Sequence, residues 1–166
     1  IASVFSLHSQ ETRYSNIQTD LLFGFPVQHD ESLKDAIQGP AYGVLLSWNR
    51  VDAKNNKFNT LFNHPERGFS FLYNDFNSDI LGEGFGLLRH YTYNLTPKRK
   101  MDLKLTTAFG LGYVTKRFDP ETNPLNFALG SKLGVSAFLK LEYLQFFERQ
   151  NLSLNTGVIL THFSNM

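Results

Sequence analysis

Met101-Asp102-Leu103-Lys104-Leu105-Thr106-Thr107-Ala108-Phe109-Gly110-Leu111-Gly112-Tyr113 alternates between two kinds of side chain. Its odd positions are Met, Leu, Leu, Thr, Phe, Leu and Tyr, while its even positions are Asp, Lys, Thr, Ala, Gly and Gly. Successive side chains of a strand project to opposite faces, so this alternation is the pattern of a strand and not of a helix with its longer repeat. One face is large and apolar; the other is small, polar or charged. Leu133 to Tyr143 repeats the arrangement, with Leu133, Val135, Ala137, Leu139, Leu141 and Tyr143 against Gly134, Ser136, Lys140 and Glu142. Globular strands usually run about 5–6 residues. Both of these are longer, and about 9–11 residues suffice to cross a bilayer at a tilt.

Shorter alternating runs flank them at Leu21–Val27, Tyr42–Trp48, Phe69–Asn74 and Phe85–Leu95, the last with Arg89 on its apolar face. Leu152 to Ser164 completes a set of seven candidate strands. Between them lie turn-forming pairs such as Gly39-Pro40, Asn55-Asn56, Asn77-Ser78-Asp79, Thr96-Pro97 and Asp119-Pro120. Residues 28–38 allow a turn of helix, and Lys54 to Pro65 reads as a polar loop.

A chain of 166 residues is the size of one domain. Net charge of +1 gives no electrostatic reason for a nucleic-acid partner, and Lys98-Arg99-Lys100 reads as a solvated turn. Cysteine is absent, which excludes disulfides and thiolate metal sites. His8, His29, His64, His90 and His162 show no metal-ligand spacing, so neither metal nor cofactor is expected. The 16 Phe, 7 Tyr and 1 Trp accompany 12 Gly, yet mean hydropathy is only −0.26. No apolar run approaches the ~20 residues of a membrane helix. A β-protein fits this balance, and so does a transmembrane β-barrel, whose lipid-facing and interior residues average out. With Ile1 at one end and Met166 at the other, the chain is expected to be trimmed at the front and to lack a strand at the back.

Two architectures share this alternation. A soluble lipocalin-like barrel turns its apolar face inward around a ligand; an outer-membrane barrel turns it outward into lipid. Small residues and opposite charges on the polar face (Asp102 with Lys104, Lys140 with Glu142), aromatic residues near strand ends, and strand length favour the second. The expectation is all-β: a single antiparallel transmembrane β-barrel over residues 1–166, eight strands in the whole and about seven in this chain.

The last strand ends in Thr161-His162-Phe163-Ser164-Asn165. His162 and Ser164 share a face, with Cα atoms roughly 6–7 Å apart, which lets an imidazole reach a hydroxyl and activate it as a nucleophile. Spacing alone is equally met by chance, or by an interfacial histidine. The motif resembles the signature of the PagL-like outer-membrane lipid A deacylases, the acyloxyacyl hydrolases of Bacteroidetes-type bacteria. Looser likeness extends through Phe23-Gly24-Phe25-Pro26-Val27-Gln28-His29, Asn63-His64-Pro65 with Gly68, Leu81 to Gly86, and Asp119 to Lys132.

That resemblance implies an outer-membrane serine esterase that removes an ester-linked acyl chain from the lipid A of lipopolysaccharide. Ser164 would be its nucleophile and His162 its general base, with Asn165 positioning the substrate or stabilising the oxyanion through its backbone N–H. The family's acid, a glutamate about a dozen residues past the serine in the triad, has no counterpart here, and Met166 stands where glycine is usual. The alternative is a catalytically idle barrel serving as a structural or accessory subunit, with other outer-membrane proteins as partners. A soluble lipocalin-like binder is a third reading. Oligomeric state is left open.

Overall fold

A computed structural model describes residues 13–27, 34, 36–52, 57–62, 64–96, 101–127, 129–147 and 152–165. The Lys98-Arg99-Lys100 cluster, residues 28–33, and Asn63 lie outside them, as do His8 and His29. The described residues form one antiparallel sheet: β1 (Arg13–Gly24), β2 (Ala41–Asp52), β3 (Glu66–Asp75), β4 (Glu83–Asn94), β5 (Met101–Val114), β6 (Leu133–Phe147) and β7 (Leu152–Asn165). Each strand pairs with the next in sequence, in the order β1-β2-β3-β4-β5-β6-β7. A short helix, α1 (Lys57–Leu61), occupies part of the stretch expected to be a loop.

Alternation resolves with the apolar set outward. Leu21, Leu46, Trp48, Phe69, Leu87, Phe109, Leu139 and Val158 are all exposed on the convex face. Arg89 is tolerated among them because its guanidinium carbon sits 5.7 Å from the ring centroids of both Phe69 and Tyr91, within reach of the π-face attraction for a cation. The concave face carries a waist of Leu45, Leu72, Leu88, Ala108 and Phe138, one residue from each of β2 to β6, with Leu22, Ile159 and Phe163 packed against it. Around that waist the interior is polar: Ser47, Ser70, His90, Thr92, Thr106, Ser136, Lys140 and Glu142 are buried.

β1 begins earlier than the alternation suggested and ends at Gly24, opposite Ala41. Pro26 has no N–H to give a ladder, so the chain leaves the sheet there.

The expected closed barrel does not form. β1 and β7 are the outer members of the sheet and do not pair; their edges stay 8 Å apart, where hydrogen-bonded neighbours lie about 4.7–4.9 Å apart. The described residues make a curled, open sheet. In hydrocarbon an open edge would strand N–H and C=O groups at several kcal/mol each, and among sheets only closed barrels avoid this. The transmembrane β-barrel and its outer-membrane location are corrected on that ground. No helix among the described residues is long and apolar enough to cross a membrane. The lipocalin-like reading fails separately, because its apolar face would have to point inward.

Candidate functional site

Phe163 decides how the end of β7 is held. Its ring turns inward and lies against Gly84 and Gly112, where an added Cβ would come within 2.9 Å and 3.2 Å of ring carbons. Two glycines on neighbouring strands thus form a socket that no larger residue could leave open. Phe76 meets the same ring edge-on at 5.9 Å, and Asn74 Nδ2 donates to Thr161 Oγ1 at 3.2 Å. With Phe163 and Thr161 fixed inward, alternation sends His162 and Ser164 outward, opposite Ala137 and Val135 of β6. Both are exposed. Asn165 pairs with Gly134, and its side chain lies outside the described residues.

His162 and Ser164 border a cavity of about 490 Å³ at the unpaired seam between β1 and β7. Its walls are mainly apolar: Phe23 and Phe25 from the β1 side, Leu160 from β7, and Ile37, Leu81 and Leu129 from the loops above. Those loops are tied down. Ser78 Oγ donates to the Ala36 carbonyl at 2.7 Å, and Asn126 Nδ2 donates to the carbonyls of Ile80 and Lys116. Gly82, at φ 68°, supplies the left-handed turn that lets Phe76 and Gly82 close the β3–β4 connection. Phe23 packs against both Phe25 and Tyr42, with centroids 6.0 Å and 5.6 Å away.

Beneath the cavity, charged side chains cross the interior. Lys140 Nζ lies 2.8 Å from Asp20 Oδ2 and 3.0 Å from Glu142 Oε2. Gln18 Nε2 donates to both Glu142 Oε2 and Asp20 Oδ1 at 2.9 Å. These contacts join β1 to β6, which are not neighbours in the sheet. The pairing of Lys140 with Glu142 on one strand, visible in the sequence as opposite charges, gains its meaning only when β1 supplies Asp20.

A serine–histidine contact elsewhere in the sheet escaped the sequence reading. His90 Nδ1 lies 2.7 Å from Ser70 Oγ, which lies 2.9 Å from Ser47 Oγ. Ser70 faces Leu88 across the β3–β4 ladder and His90 faces Gly68, so the two side chains meet diagonally on the concave face. Burial, reinforced by the Lys140 ammonium and opposed by Glu66, pushes the imidazole down to about 4. Nε2 has no partner among the described residues. A neutral ring donating from Nδ1 to Ser70 leaves a bare lone pair there, a smaller loss than a bare buried N–H. This trio is sealed from solvent, with Ser70 and His90 each 1 % exposed, so it serves the interior and not a substrate. Only the register of β3 against β4 could have revealed it.

Among the described residues no cluster of histidine, aspartate or glutamate could hold a metal ion. The expected serine esterase was to act on lipid A from the lipid-facing wall of a closed barrel. With the sheet open that setting is gone. Ester hydrolysis, the lipopolysaccharide partner, other outer-membrane partners and the idle accessory barrel are corrected together with it. No family model, curated protein or solved structure matches the chain, and the resemblance to the PagL-like lipid A deacylases is corrected accordingly.

Proposed function

We propose that the chain is a binding module for a small single-chain amphiphile, seated in the seam cavity with its apolar body between Phe25 and Leu129 and its polar end at His162 and Ser164. The observation that carries this reading is the cavity itself. Its volume of about 490 Å³ falls among ligand sites, which span roughly 300–1,000 Å³ and combine apolar walls with a few convergent polar groups. His162 offers a ring nitrogen and Ser164 a hydroxyl on one face of β7, a pair suited to a carboxylate or hydroxyl end group. Their role here is recognition.

A dansylated undecanoate titrated into the purified chain tests it. Saturable binding of one probe per chain is expected. Phe25→Asp, in the cavity wall outside any strand, should weaken it at least about tenfold, the scale of a charge placed against an apolar ligand. Phe109→Asp on the convex face should leave it unchanged. His162→Ala and Ser164→Ala should each cost about two- to tenfold, the net worth of one hydrogen bond, and cost nothing for a probe lacking the carboxylate. Equal weakening by Phe25→Asp and Phe109→Asp would overturn the reading, because binding would then belong to the exposed apolar face.

A further inference from the structure

The interior charge network lies directly under the cavity, and its position bears on how the cavity opens. Asp20 precedes Leu22 by two residues, so both project to the concave face, and Leu22 lines the cavity. Lys140 pairs across the ladder with Ile159, another lining residue. The network and the cavity floor are therefore consecutive layers of the same interior. β1 has only one neighbour in the sheet, β2. Among the described residues, its polar attachments to the far side of the curl are the contacts of Gln18 and Asp20 with Lys140 and Glu142, and Leu22 adds an apolar one against the waist. β7 is held separately, by Asn74 to Thr161 and by the Phe163 socket.

The geometry points to the Gln18–Asp20–Lys140–Glu142 network as a latch that sets the width of the β1–β7 seam and so controls entry to the cavity; this rests on the binding role proposed above. One ammonium lies between two carboxylates, and Gln18 donates to both acids, so each member closes a bond that crosses the interior. Removing the cation leaves two buried carboxylates facing one another, a repulsion that drives β1 away from β6. The β1–β2 hairpin then swings outward on its β2–β3 side and the mouth widens. The waist residues of β3 to β6, Leu72, Leu88, Ala108 and Phe138, lie outside that hairpin and keep the rest of the sheet together.

The chain has no cysteine among its residues, so spin labels can be placed cleanly at Leu21→Cys on β1 and Val158→Cys on β7, both on the exposed face. In the parent, pulsed electron paramagnetic resonance should give one narrow distance distribution. Lys140→Met should lengthen and broaden it, and dansylated undecanoate should dissociate at least about thirtyfold faster, the low end of the cost of truncating one partner of a buried charge pair. Circular dichroism should remain that of a β-sheet. Gln18→Ala, which leaves the charges in place, should shift both readouts in the same direction by less, and it stands in if the Lys140→Met chain does not fold. The charge exchange Lys140→Glu with Asp20→Lys keeps one cation between two acids and should restore the parent distance. An unchanged label distance in Lys140→Met and Gln18→Ala, or an exchange that restores nothing, would overturn the latch. If the labels part while the parent binds no probe, the latch stands and the binding role fails; if the parent binds and the labels stay put, the reverse holds.

Discussion

His90 shows at the scale of one residue how the concave face is set. Its ring is buried against Gly68, bonded to Ser70, and kept neutral by burial and by the nearby Lys140 charge. Folding lowers its pKa from 6.5 to about 4. Between those values the unfolded chain binds the proton and the folded chain does not, so stability falls as pH drops from 6.5 towards 4 and levels off below. A shift of this size amounts to about 3 kcal/mol at pH 4. Urea denaturation of the parent and of His90→Gln at pH 7 and pH 4 checks it. The parent should lose about 3 kcal/mol more than the variant, with the carboxylate contributions common to both cancelling; equal losses would show that the ring titrates normally. Little of this was legible in the sequence. Ser70 is readable there as a polar-face residue and His90 as a histidine without metal spacing, but their meeting depends on ladder register, which alternation does not specify. His162 and Ser164 were legible as a pair on one face, and the structure keeps them so, while the chemistry attached to them through a family resemblance did not survive.

At the scale of the element, strands were the most legible feature. The long alternating runs at Met101–Tyr113 and Leu133–Tyr143 share their starts with β5 and β6 and stop short of their ends. The short runs of β2 and β3 were found at their centres and missed at an end, where Asn49, Arg50 and Glu66 continue the ladder without an apolar signal, while the Phe85–Leu95 run began two residues late on β4 and passed its end by one. β1 was misplaced because Phe25 and Val27 prolong its apolar alternation past the point where Pro26 ends the pairing. α1 was missed because Lys57 to Leu61 is only a single turn or so, too short for a periodicity. Gly112 read in sequence merely as a small residue of a polar face and Gly84 only as part of the Leu81 to Gly86 likeness; in the fold they are the socket for Phe163. Gly84→Ala should therefore destabilise the sheet by about 1–3 kcal/mol, the range for overfilling a packed site, and should loosen the end of β7 that carries His162 and Ser164. Thermal unfolding measures the first effect and the chemical shifts of His162 the second. A variant as stable as the parent, with His162 unmoved, would mean that Phe163 is not seated there.

At the scale of the whole molecule, the curl comes from contacts that skip neighbours in the sheet. Gln18 and Asp20 reach β6, Asn74 reaches β7, and Phe163 reaches β4 and β5. They explain why the polar residues are buried and the aromatic ones exposed. They do not join the edges. Alternation could indicate that the sheet would roll, because one face is small and charged and the other large. It could not say how the edges of β1 and β7 would lie relative to one another, since neither strand's alternation specifies what faces its outer side. The cavity was illegible for the same reason: it exists only where two edges approach without pairing. Residue-resolved amide hydrogen exchange reads the open seam itself. In β2 through β6 every ladder amide should be protected, whereas in β1 and β7 the protected amides should alternate with fast-exchanging ones, those that face the seam and have no carbonyl opposite. Continuous protection along both β1 and β7 would mean that the two edges are paired and that no open seam exists.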